Sequence, residues 1–294
     1  MFEWMKKMTL GKNPSPEQIL KALRKNEIAL TQTDAKTEAS PIGSKFGGKP
    51  AVPADFVWPR FEAQDYDGNV ANRPLSFLCQ INLEEVKAYD REKLLPNKGM
   101  LLFFYEQESM CWGFDPSDDG CGRVYYFEDV DVLAPRDLPD DLREDFKVKE
   151  YGLSFEAKDS YPSFEEVDCH VQTDCDWDEY DEAVEELGYD IESECHKLLG
   201  YADLIQGEML TECERVTRGL YCGNAEGYRS TSEDENVDIL QKAAEWTLLF
   251  QMASIEDDGF ELMFGDMGCI YFYIRKQDLK ERRFDKIWLV LQCG

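Results

Sequence analysis

A glutamine inside an apolar strand is tolerated only where its amide hydrogens and its oxygen all find partners. This chain places one there twice. Gln80 interrupts LSFLCQINL (residues 75–83), and Gln251 interrupts WTLLFQMA (residues 246–253). The same anchors surround both in the same order. Lys45-Phe46-Gly47-Gly48 precedes the first, and Lys197-Leu198-Leu199-Gly200 the second. Gly99 opens MLLFFY and Gly268 opens CIYFYI, while RVYYF from Arg123 matches KIWLVL from Lys286. The glutamine-to-glycine spacing is 19 and then 17 residues. The lysine-to-glutamine spacing is 35 and then 54, with residues near 211–240 absorbing the difference. One such match is common among apolar strands. Four in order predict an internal duplication, with similar halves at about 40–128 and 196–293 inside one compact domain spanning 1–294. Continuous apolar runs of strand length separated by short helical patterns give an α+β fold, mainly antiparallel sheets with flanking helices.

Other elements follow from local chemistry. Ser15-Pro16-Glu17-Gln18 is a capping box that starts a helix whose apolar face is Ile19, Leu20 and Leu23. Residues 31–41 read as an irregular polar segment. Ser44 to Pro59 is a Gly- and Pro-rich structured loop anchored by Phe46, Phe56 and Trp58. Short helices are predicted near 82–89 and 278–283, and further strands at 124–128, 153–157 and 287–293. An acidic helical connection, about 171–195, joins the halves. Trp177, Tyr180, Val184 and Leu187 fall there at helical spacing, capped by Thr173 or Asp174 at the start and Gly188 at the end.

Charge narrows the partners. Lys plus Arg number 32 against 61 Asp plus Glu, a net charge of -29. Such a chain repels phosphate backbones and anionic membranes, so no nucleic acid and no membrane is expected, and a basic protein partner fits better. Lys6 and Lys7 have no apolar segment after them, and the longest apolar run, Met100 to Tyr105, falls far short of the ~18 residues that span a bilayer. A cytoplasmic location is expected. Ten cysteines without secretory context read as reduced thiols.

No catalytic constellation stands out. The two histidines, His170 and His196, each follow a cysteine, Cys169 and Cys195. Together with Cys175 they could be drawn toward zinc, but no CxxC spacing supports it. Asp174, Asp176, Asp178 and Glu185 match positions 1, 3, 5 and 12 of a calcium loop, yet Glu179 stands where the turn glycine belongs. Helix capping explains these carboxylates more simply. No cofactor is implied. The glutamines have two readings, a structural one in which each bonds the Gly-rich loop of its own half, and a polar lining for a cleft between the halves. In the second, the ligand-binding residues would be Gln80, Gln206, Gln251, Tyr201, Trp58 and Asp266.

The stretches SKFGGKPAVP, PLSFLCQINL, LPNKGMLLFF, HKLLGYADLIQGEM, WTLLFQMAS, FGDMGCIYFYIRKQDL and FDKIWLVLQC together resemble the bacterial YwqG-like family. The resemblance implies an α+β fold with internal pseudo-symmetry in a cytosolic protein of bacteria, and carries over no catalytic residue. Some relatives stand beside secreted-toxin genes, which implies an immunity role. The expected function is thus a non-enzymatic interaction module binding a basic toxin or effector. The alternative is a small-molecule-binding module or enzyme with a cleft between the halves.

Overall fold

The computed structural model describes residues 14–33, 40–171, 173–188 and 196–294. Ten strands form its main sheet: β1 (Lys25–Thr33), β2 (Lys45–Phe46), β3 (Ser76–Asn82), β4 (Met100–Tyr105), β5 (Gly122–Phe127), β6 (Tyr151–Ser160), β7 (His196–Leu199), β8 (Trp246–Ala253), β9 (Cys269–Arg275) and β10 (Ile287–Gln292). Eight short helices accompany them: α1 (Pro16–Leu23), α2 (Leu83–Val86), α3 (Phe164–His170), α4 (Trp177–Glu186), α5 (Leu210–Val216), α6 (Ala225–Arg229), α7 (Glu233–Ala243) and α8 (Lys276–Lys280). The fold is α+β, with every strand pairing antiparallel.

The strand order is β10-β9-β8-β7-β1-β6-β2-β3-β4-β5. It reads alike from either edge, four strands outside a central β1-β6 pair. The central pair is exchanged. β1 precedes β2 in the chain but pairs with β7, whereas β6 precedes β7 but pairs with β2. Around the glutamines the geometry recurs. Lys45 lies opposite Gln80, and Lys197 opposite Gln251. The register shifts between Phe77 and Cys79 in β3, and between Leu248 and Phe250 in β8. Gly47 and Gly48 have φ of 54° and 67°, and Leu199 and Gly200 have 62° and 76°.

The sheet curls until its edges meet. Leu291 of β10 donates its N–H to the Trp112 carbonyl at 2.9 Å, and the Trp288 indole donates to the Gly113 carbonyl at 2.8 Å. Side chains fill the interior, where Phe103 of one side packs against Phe250 of the other with ring centroids 4.4 Å apart and the rings tilted by 40°. Such a filled barrel-like core leaves no lumen. The outer faces are covered differently. Beyond β3 and β4, Val52, in a short strand paired with Ala134, and the loop residues Phe56 and Leu133 pack on Phe77 and Phe104. Beyond β8 and β9, Leu210 and Val216 of α5 and Ala243 of α7 pack on Leu248, Tyr271 and Tyr273. Both faces of these strands are therefore buried, which is why they read as unbroken apolar runs.

Three expectations change. Residues 31–33 are not irregular but complete β1. The cap of α4 is Asp176, whose side chain accepts from the Asp178 N–H at 2.9 Å, rather than Thr173 or Asp174. Trp177 and Leu187 are exposed, at 62% and 53%, so only Tyr180, Ala183 and Val184 bury the face of that helix. Asp178 and Glu185 both lie inside the helix, which leaves no calcium-loop turn. Among the described residues no three His, Cys, Asp or Glu side chains gather to hold a metal. Cys195 lies outside the described residues, so the zinc reading is left without it. Among the described residues no helix is long and apolar enough to cross a membrane.

Candidate functional site

The two strand glutamines are wholly buried and hydrogen-bonded. Gln80 Oε1 accepts from the Ala51 N–H at 2.9 Å, and its Nε2 donates to the carbonyls of Gly43 at 2.7 Å and Pro41 at 3.1 Å. Gln251 Oε1 accepts from the Asp203 N–H at 3.0 Å, and its Nε2 donates to the Asp203 carboxylate at 2.7 Å. Each amide oxygen thus ties its strand to the segment that follows the Lys-x-x-Gly turn, and the Gln80 nitrogen also binds the segment before that turn. Gln206 and Asp266 are exposed on other loops, and Trp58 donates its indole N–H to the Leu75 carbonyl. These residues do not converge. Tyr201 is different, because it lies beneath a cleft.

That cleft, of about 590 Å³, opens at one end of the curled sheet. The start of β1, the end of β7, the start of β8 and the helix after β9 all reach that end, which places Lys25, Gly200, Thr247 and Lys276 around it. Residues 92–97, from the loop before β4, also line it, and the Glu92 carboxylate accepts from the Asn26 N–H of β1 at 3.1 Å. Five lining side chains are cationic (Lys25, Lys93, Lys276, Lys280 and Arg282) and one, Glu92, is acidic. Leu94, Leu95 and Leu279 add apolar surface. Arg282 approaches Glu128 at 3.8 Å. Among the described residues no carboxylate lies within 4 Å of the Lys25, Lys93, Lys276 or Lys280 ammonium.

Lys25 is set apart from the others. Its Nζ sits 3.5 Å above the centre of the Tyr201 ring. That ring is fixed from behind, since Tyr201 is buried and its hydroxyl donates to the Leu23 carbonyl at 2.7 Å. Burial lowers the Lys25 pKa to about 8. Lys276 pushes the same way, and Glu166 and Glu92 oppose it. Glu166 and His170 of α3 stand behind, 3.3 Å apart, and the second Glu166 oxygen has no hydrogen-bond partner. Burial lowers the His170 pKa and raises that of the Cys169 thiol, so the pair supplies neither an imidazolium nor a thiolate. His196, held neutral by burial down to about pH 4, accepts from the Ala253 N–H instead.

The family profile described as a domain of unknown function (DUF1963) matches residues 44–293. The chain belongs to this family. The DUF1963 domain takes in both glutamine strands and most of the cleft, and begins after β1, so Lys25 lies ahead of it. A comparison with the curated proteins finds no match.

None of the cationic residues was singled out in the sequence. One local signal existed, the run RKQDLKERR from Arg275 to Arg283 in a chain otherwise dominated by carboxylates. Lys25 and Lys93 come from distant segments and carry no signal of their own.

On α5, Glu212 stays protonated up to near neutral pH. Burial, with Glu208 nearby, raises its pKa to about 7. A carboxyl whose folded pKa lies above its unfolded value takes up a proton on folding between those two values. Its contribution therefore grows as pH falls from about 7 toward 4.5 and is lost above. Glu212→Gln, which stays neutral throughout, should raise stability at pH 8 by about 2 kcal/mol. The gain should vanish near pH 4.5, as read by urea denaturation at both values.

Proposed function

We propose that this protein binds a small anionic ligand in the cationic cleft, which makes it a small-molecule-binding module or an enzyme. One observation carries the reading: four lysines whose ammonium groups have no carboxylate partner among the described residues line one concavity, in a chain of net charge -29. Surface lysines in so acidic a chain ordinarily find carboxylates. Cations clustered without them repel one another, and an anion relieves that repulsion while apolar walls exclude water.

The test is calorimetry and thermal shift with inorganic phosphate, pyrophosphate and simple carboxylates at low salt. Saturable binding should weaken at least tenfold in the Lys93→Glu/Lys280→Glu variant, both residues being exposed. Absence of saturable binding, or equal binding by the variant, overturns the proposal.

A second reading, a basic protein partner of the toxin or effector kind, draws support from α4. There the exposed Trp177 shares a ten-residue helix with Asp178, Glu179, Glu182, Glu185 and Glu186. Its test is capture of a basic protein from host lysate at low salt, lost in a Glu179→Lys/Glu182→Lys variant. Failure to recover any basic partner at low or high salt sinks it. The YwqG-like branch of the family and a bacterial cytosolic setting belong to this same proposal.

We further propose that the halves are copies joined by exchange of their first strands. The palindromic strand order and the paired lysine–glutamine registers support it. So does a third residue. Glu27 of β1 pairs opposite Leu199 and binds Lys197 at 2.9 Å, and Glu150, next to β6, binds Lys45 at 2.7 Å.

A further inference from the structure

We infer that Lys25 is an imine-forming lysine, and that the cleft takes a small anionic carbonyl compound of the 2-oxo acid class with its carbonyl carbon against the Lys25 amine. The inference rests on the anion-binding reading of the cleft and adds the chemistry of its innermost cation.

Three features of the site support it. Lys25 lines the cleft from a strand rather than from a mobile loop, and its Nζ is placed over the fixed Tyr201 ring. No carboxylate among the described residues lies within 4 Å to hold the amine as a permanent ammonium ion, so its proton can leave. The groups that face it come from three elements: Glu166 and His170 from α3, Lys276 at the start of α8, and Glu92 from the loop before β4. Desolvation beside a second cation is the setting in which a lysine becomes a nucleophile near neutral pH, and its pKa of about 8 agrees. The remaining cations, Lys93, Lys280 and Arg282, stand at the rim where the acid group of such a ligand would lie.

The step balances without a further reactant. The neutral amine attacks the carbonyl carbon, a C–N bond forms, and both amine hydrogens leave with the carbonyl oxygen as water.

The fold also argues for one such site rather than two. The register about the glutamines makes Arg275 the counterpart of Glu106, and Lys276 that of Gln107. Those two positions of the first half therefore carry no cation. Glu106 there accepts from the N–H groups of Glu108 and Ser109.

The experiment treats the full chain with pyruvate and sodium cyanoborohydride at pH 8 and maps the modified lysines by peptide mass spectrometry. Lys25 should be modified at least tenfold more than the exposed Lys21 and Lys87, and excess phosphate should protect it. The Lys25 signal should reach half its maximum near pH 8, whereas that of exposed lysines keeps rising toward about pH 10.4. Lys25→Arg should abolish the modification while calorimetric phosphate binding persists. If that variant does not fold, phosphate protection of the unaltered chain decides. Even labelling of all lysines, or no label on Lys25 while phosphate binds the cleft, overturns the imine and leaves the anion site standing. Selective labelling of Lys25 without phosphate binding overturns the anion site instead.

Discussion

Lys197→Ala should lower stability by about 3–5 kcal/mol, among the largest effects of any single substitution in this chain. The Lys197 ammonium is 1% exposed and bonds Glu27 at 2.9 Å, Asp203 at 2.7 Å and the Tyr201 carbonyl at 3.3 Å. Both carboxylates are as buried as the lysine. Removing the cation leaves two like charges in a medium that solvates neither. The loss should shrink as pH falls, because Asp203, whose pKa burial already raises, takes up a proton more readily once its counter-ion has gone. Lys45→Ala is the internal comparison. Its partner Glu150 is 42% exposed, so water replaces the lost ammonium, and a loss of about 1 kcal/mol is expected. Urea denaturation of both variants at pH 7.5 and 5 checks the ranking; equal losses would show that burial of the acid is not what separates them.

Gly113→Ala should cost about 3 kcal/mol or more and loosen the closure of the sheet. Gly113 has φ of +89°, and an added Cβ would stand 2.0 Å from the Leu289 carbonyl oxygen of β10. Backbone meets backbone there, so no side chain can swing away. The same residue accepts the Trp288 indole hydrogen bond, which a displaced segment would lose. Gly259→Ala is the control, with φ of +82° and no atom within 4 Å of the added Cβ, and should show the backbone cost alone, about 1 kcal/mol. Hydrogen exchange at Leu291, whose N–H bonds the Trp112 carbonyl across the seam, should accelerate only in Gly113→Ala. A variant with unchanged exchange there would mean that this contact does not hold the edges together.

The strands flanking Gln80 and Gln251 were legible because burial on both faces leaves a mark within a few residues. β1 was not legible. Only Ile28, Ala29 and Leu30 of Lys25–Thr33 are apolar, Arg24 alone separates it from α1, and its partners lie at 151–160 and 196–199. Its being a strand is decided by remote pairing rather than by local pattern. The cleft was illegible for a related reason. Its cations come from the start of β1, the loop before β4 and the segment after β9, and only topology brings them to one end of the sheet. Asp176 displaced Thr173 and Asp174 as the cap because several acceptors in a row compete for one helix start, and backbone geometry chooses among them.

The exchanged central strands carry a consequence for synthesis. β1 leaves the ribosome well ahead of its partners, because the residues it pairs with follow more than a hundred positions later. At about 5–20 residues per second the wait is on the order of ten seconds. For that interval Ile28, Ala29 and Leu30 have no sheet to join, and every ribosome carrying this message holds an apolar strand waiting for its partners. A translational pause before residue 160 would lengthen the exposure. A pause after residue 199 would come once both neighbours of β1 have been made.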